Sequence, residues 1–85
     1  MSKDIDRDKV CAEVVRLLIE ARKKRKVSGN SLAEKSGLSQ SLISSLETNP
    51  WNPTLDTLLR VAGALEINLG DLVKRAILNV SKGRG

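Results

Sequence analysis

The stretch that most constrains this chain is SLAEKSGLSQSLISSLE, residues 31–47. It holds two short helical patterns divided by a glycine. Helices this short bury little surface, and they become useful when they cross steeply and one of them projects. The crossing needs a small side chain where the second helix passes over the first, and Ala33 fits. The turn needs a residue that tolerates positive φ, and Gly37 fits. Leu38 at the turn, then Ile43 and Leu46 on one face, give the second helix an inward apolar edge. Its opposite face is Gln40, Ser41, Ser44 and Ser45, all short or flat hydrogen-bonding groups. Such a face fits a groove lined with donors and acceptors.

The rest of the chain reads as helices packed around that pair. With 85 residues there is room for one core, and with one aromatic residue, Trp51, that core must come from Leu, Ile, Val and Ala. Asp4, Asp6 and Asp8 place negative charge where a helix starts, and Val10, Val14, Leu17, Leu18 and Ala21 recur at helical spacing up to about Lys26. The next helix is capped by either Ser28 or Ser31, and Ser39 caps the one after Gly37, which runs to about Glu47. Residues 48–53, TNPWNP, form a loop. Thr54 caps a fourth helix with a core face of Leu55, Leu58, Leu59, Ala62 and Leu65, and Gly63 within it reads as a close-packing point. Asn68 and Asp71 stand at capping-box spacing before a fifth helix carrying Leu69, Leu72, Val73, Ala76, Ile77 and Val80. The expected fold is all-α, one five-helix domain over residues 1–80 with a flexible basic tail over 81–85.

The net charge is +5, and it is unevenly spread. Residues 1–26 carry nine basic and five acidic side chains, residues 27–72 two basic and five acidic, and residues 73–85 four basic and none acidic. The densest run is Arg22, Lys23, Lys24, Arg25 and Lys26. Five adjacent cations suit a phosphate backbone, or else a solvated helix end, where cations also favour the dipole.

The landmarks Leu32–Ala33, Gly37, Ile43–Ser44 and Leu46–Glu47, followed by a proline-containing loop and PTLDTLLRVAGALEINLGDL, come in one order and spacing. In this the chain resembles the lambda-repressor/Cro-like, XRE-type helix-turn-helix domains of bacterial and phage regulators, over roughly Leu18–Val73. The resemblance implies a helix-turn-helix at about 28–47 whose framework is Leu32, Ala33, Gly37, Leu38, Ile43 and Leu46. It implies a second helix lying in the major groove of double-stranded DNA, with Gln40, Ser41, Ser44 and Ser45 toward the bases. Gln40 can pair bidentately with adenine, while the serines serve bases or phosphates. Leu42 flanks the groove or packs against the loop. Backbone contacts fall to Arg22, Lys23, Lys24, Arg25, Lys26, Ser28, Asn30, Ser39 and Asn49. Arg22 and Glu47 match positions that pair by a salt bridge. Where the family often has a phosphate-touching glutamine, this chain has Gly29, so that contact is lost or passes to Ser28 or Asn30.

One such domain reads few base pairs, so a homodimer is expected. Leu72, Val73, Ala76, Ile77 and Val80 offer an apolar stripe for it, widened by Ile5, Val10, Val15 and Ile19, unless the first and fifth helices pack on one another. Trp51 packs over its loop, touches a phosphate or anchors a protein partner. There is no His, Cys–His pair or phosphate-cradling glycine loop, so no enzyme, metal or cofactor is expected. The lone Cys11 and the lack of an apolar run of ~18 residues or a secretory signal point to the cytoplasm, with no membrane association. A dimeric transcriptional repressor is the reading favoured. An antitoxin or antirepressor partner that holds another protein with the same fold is the alternative.

Overall fold

A computed structural model describes residues 6–50 and 53–83. Asp6 precedes α1 (Arg7–Lys24) in extended conformation, and its carboxylate accepts the Lys9 N–H at 3.1 Å. The helix stops short of the basic run's end. Lys26 takes φ 57°, and the N–H groups of Lys26 and Val27 return to the carbonyls of Lys23 and Arg22 at 3.0 Å. This is a Schellman closure with lysine in the left-handed position.

Ser28, not Ser31, caps α2 (Gly29–Ser36): the Ser31 N–H itself donates to Ser28 Oγ at 3.0 Å. Gly37 closes α2 at φ 73°, and the Leu38 N–H reaches back to the Ala33 carbonyl at 3.1 Å. Ser39 Oγ accepts from Leu42 N–H at 3.1 Å and starts α3 (Gln40–Thr48). Thr54 caps α4 (Leu55–Ala64), and Asn68 caps α5 (Leu69–Ser81) by accepting from Asp71 N–H at 3.0 Å. These five helices are all the regular structure among the described residues, an all-α fold.

One aliphatic core joins them. It takes Val14, Val15, Leu17 and Leu18 from α1, Leu32 and Ala33 from α2, and Ile43 and Leu46 from α3. From the second half of the chain it takes Leu58, Val61, Ala62, Leu65, Leu69, Leu72 and Ala76. Helix α5 runs back along α1, because Asn79 Nδ2 donates to Glu13 at 2.7 Å and so fixes the end of α5 beside the first half of α1. Helix α2 packs on both α3 and α4. Ala33 is 8% exposed beneath that crossing, where a longer side chain would push the helices apart.

Several sequence expectations change. On α4 the inward face is Leu58, Val61, Ala62 and Leu65, while Leu55 and Leu59 point outward. Gly63 is exposed, and a Cβ there would meet nothing within 4 Å, so it is not a close-packing point. Leu72 and Ala76 are consumed by the core and leave the expected dimer stripe, as does Val15 on α1. Val73, Ile77 and Val80 remain half-buried. The α1–α5 packing that stood as the alternative to a dimer seam is what takes up that apolar surface. Helix α5 also extends through Ser81, the first residue of the expected tail. Asp4, Ile5, Trp51, and the tail residues Arg84 and Gly85 lie outside the described residues.

Candidate nucleic-acid interface

Helix α3 is sorted by polarity around its axis. Ile43 and Leu46 are buried and Leu42 is half-buried, so Leu42 leans on its own domain. Gln40, Ser41, Ser44, Ser45 and Thr48 are exposed and line one shallow, polar depression. Positions 41, 44, 45 and 48 recur at i, i+3, i+4 and i+7, one face of a helix. Thr48 is the member that sequence reasoning missed, although its spacing from Ser41 and Ser44 was the signal. Its hydroxyl donates to the Ser44 and Ser45 carbonyls, each at 3.3 Å, and so closes the end of its own helix. The face as a whole is uncharged, with donors and acceptors of short reach.

The helix is held at both ends. Ser39 caps its start. At its end Glu47 accepts from Arg22 Nη2 at 3.0 Å, while Arg22 Nη1 donates to the Val27 carbonyl at 2.9 Å. The expected Arg22–Glu47 pair is thus present. It ties the close of α1 to the close of α3, and the second bond fixes the guanidinium plane. With 14% of its side chain exposed and both terminal nitrogens engaged, Arg22 acts as a brace between the two helix ends. Lys23, Lys24, Arg25 and Lys26, next along the chain, are exposed.

Helix dipoles add to the field. Helices α1, α4 and α5 each carry an aspartate in the first turn, but α2 and α3 carry no acidic residue there. The two short helices therefore leave the partial positive charge of their N-termini unneutralised. Ser28 and Ser39, exposed at those ends, spend a lone pair on capping and retain an O–H to donate. Asn30 in the first turn of α2 and Asn49 after α3 are exposed as well, and Gly29 has open space where a side chain would stand. The C-terminal cation Lys82 is not part of this cluster. It lies past Asn79, which is bonded to Glu13, and from Glu13 to the basic run α1 extends ~15 Å.

Two short packed helices joined by a glycine turn, with a small residue buried between them and an uncharged outward face, form a helix-turn-helix arrangement. The family model described as "Helix-turn-helix" matches residues 18–72. The chain belongs to the XRE-type helix-turn-helix family. As a helix-turn-helix protein with five helices it has a lambda-repressor-like all-α fold. It is similar to the immunity repressor protein of Bacillus phage phi105, 46% identical over 52 residues. The aligned segment covers 61% of this chain and 36% of that repressor, so the chain spans little more than a third of its relative. No solved structure matched. Membership of the helix-turn-helix family supports a DNA-binding transcriptional regulator, and among the described residues no helix is long and apolar enough to cross a membrane.

Proposed function

We propose that this chain is a cytoplasmic, sequence-specific repressor that binds as a homodimer to a two-fold-symmetric operator overlapping a promoter. The observation that carries the reading is the face of α3: four hydrogen-bonding side chains, Gln40, Ser41, Ser44 and Ser45, exposed together on a helix braced at both ends. Helix α3 enters the major groove with its N-terminal turn foremost. Gln40 makes the bidentate pair to adenine N6 and N7, contributing ~1–3 kcal/mol of discrimination, and Ser45 reads a second base edge. Ser41 and Ser44 divide between bases and phosphates.

Lys23, Lys24, Arg25 and Lys26 supply attraction to the DNA backbone, joined by the hydroxyls of Ser28 and Ser39 and the amides of Asn30 and Asn49. Repression rather than activation is favoured by the similarity to a phage immunity repressor. Binding at an operator then works by occupancy, with no cofactor. The assignment of one DNA-binding domain, with its end moved from residue 80 to Ser81 by the length of α5, belongs to this reading.

The test is Gln40→Ala combined with Ser45→Ala. Both sites are exposed, so the thermal unfolding transition stays within about a degree or two of the parent. Preference for a cognate duplex over a scrambled one collapses by at least about tenfold. If the preference survives intact, α3 is not the reader. If the parent shows no preference to lose but retains a protein from its host, the fold serves as an antitoxin-like or antirepressor-like protein holder.

A further inference from the structure

Leu55 and Leu59 stand one helical turn apart on α4 and are 66% and 53% exposed. Gly63 continues the row by another turn, and a Cβ there would meet nothing within 4 Å. The outer face of α4 is therefore two apolar knobs and one open hollow in line. Such a row is self-complementary. When two copies cross antiparallel about a two-fold axis through Leu59, Leu55 of each meets Gly63 of the other.

Charge says which apolar patch a second copy accepts. Among the described residues the other large exposed apolar side chain, Leu78 on α5, is 52% exposed. Its helical neighbours are Lys74, Arg75 and Lys82, so two copies meeting there would bring six cations together. The neighbours of Leu59 are Leu55, Asp56, Ala62 and Gly63. Asp56 is already paired, accepting from Arg60 Nε at 2.9 Å. Helix α4 also lies in the part of the chain, residues 27–72, that carries five acidic and two basic groups, whereas both ends are net positive. At the row itself the one flanking acid, Asp56, is already neutralised within its own copy by Arg60, so the charge brought together there is smaller than around Leu78.

We infer that the Leu55–Leu59–Gly63 row of α4 is the surface through which two copies of this chain pair. The inference rests on the dimeric reading above and names its contact. A row this short falls far below the ~800 Å² per partner of a stable interface. The pair is therefore weak in free solution and completed when one duplex holds both copies, which raises their effective concentration.

Disulfide trapping tests it on the full chain. In a Cys11→Ser background, Leu59→Cys and Leu78→Cys are placed separately. Each is oxidised with a glutathione buffer, with and without random-sequence duplex DNA. Non-reducing gels follow dimer formation, and circular dichroism melts confirm that each variant is folded. Two cysteines on the axis come within the ~4.4–6.8 Å Cα separation a disulfide needs. The Leu59→Cys protein should cross-link about tenfold faster than the Leu78→Cys protein, and faster again with DNA. Adding Gly63→Gln, which fills the hollow at an exposed site, should slow it several-fold. Faster trapping at Leu78→Cys would overturn the α4 surface while leaving a dimer. Trapping at neither site would also overturn the α4 surface. Anisotropy titration of the same proteins with duplex DNA reports separately whether binding through α3 stands.

Discussion

Glu13 is 4% exposed where α5 returns along α1, and three donor groups converge on its carboxylate there. Arg16 gives it Nε at 2.8 Å and Nη2 at 2.7 Å, and Asn79 gives Nδ2 at 2.7 Å. The Arg16 hydrogen bonds hold the carboxyl below its ordinary value. Burial pushes the other way, while the Asn79 hydrogen bond and the charges of Arg16 and Arg75 add to the lowering. Arg16 remains half in solvent, so the stabilisation is screened and modest. Because the folded pKa is lowered, the contribution is complete above the unfolded carboxylate value of ~4.3 and is lost as pH falls through the folded one. The melting temperature should thus hold from pH 7 to about 5 and drop below ~4.3. Glu13→Gln should melt lower at neutral pH and show a flatter acid limb. An acid limb as steep as the parent's would place the proton uptake on other carboxylates. Nothing in the sequence marked this residue. In a charged first helix Glu13 reads as one more solvated group, and only the return of α5 brings Asn79 to it.

At the scale of elements, the turn between α2 and α3 sets the angle at which the recognition helix leaves the domain. Gly37 sits at φ 73°, and a Cβ added there would lie 3.3 Å from Arg60 Nη1. Gly37→Ala should therefore cost ~1–2 kcal/mol for the left-handed backbone, or about 4–8 °C in melting temperature per kcal/mol in a domain of this size. A melt unchanged by the substitution would contradict a rigid turn. The turn and the helix starts were legible in the sequence because their chemistry is local. A small residue, a glycine and the caps Ser39, Thr54 and Asn68 each act on backbone a few positions away. The facing of α4 was not. Leu55, Leu58, Leu59 and Ala62 fit the i, i+3, i+4, i+7 template as well as Leu58, Val61, Ala62 and Leu65 do. The contacts with α2 and α5 choose the second set and leave Leu55, Leu59 and Gly63 outside. The α3 face was easier, since its inward side holds Ile43 and Leu46 and its outward side holds no aliphatic residue. The Arg22–Glu47 brace joins residues 25 apart in sequence and was legible through family resemblance alone.

For the whole molecule, charge and size divide the work of binding. The outward face of α3 is neutral, so on the proposed reading attraction to DNA comes from the basic run at the end of α1. Lys23→Ala with Lys24→Ala should reduce the slope of log K against log salt by about two and weaken all sequences alike. Gln40→Ala should do the reverse, changing preference with the slope intact. One copy measures 37 × 20 × 19 Å, so its longest dimension covers about one turn of DNA, ~34 Å. The proposed reading of two half-sites a turn apart takes two copies, one recognition helix for each. The central claim is that the outward face of α3 reads base sequence. Its most direct test is selection of bound duplexes from a random pool by the purified protein at near-physiological salt. The expected result is an enriched two-fold-symmetric site with fixed half-site spacing, whose most constrained positions include an adenine lost as a preference in Gln40→Ala. A pool that returns unenriched, with binding that disappears as salt is added, would contradict it.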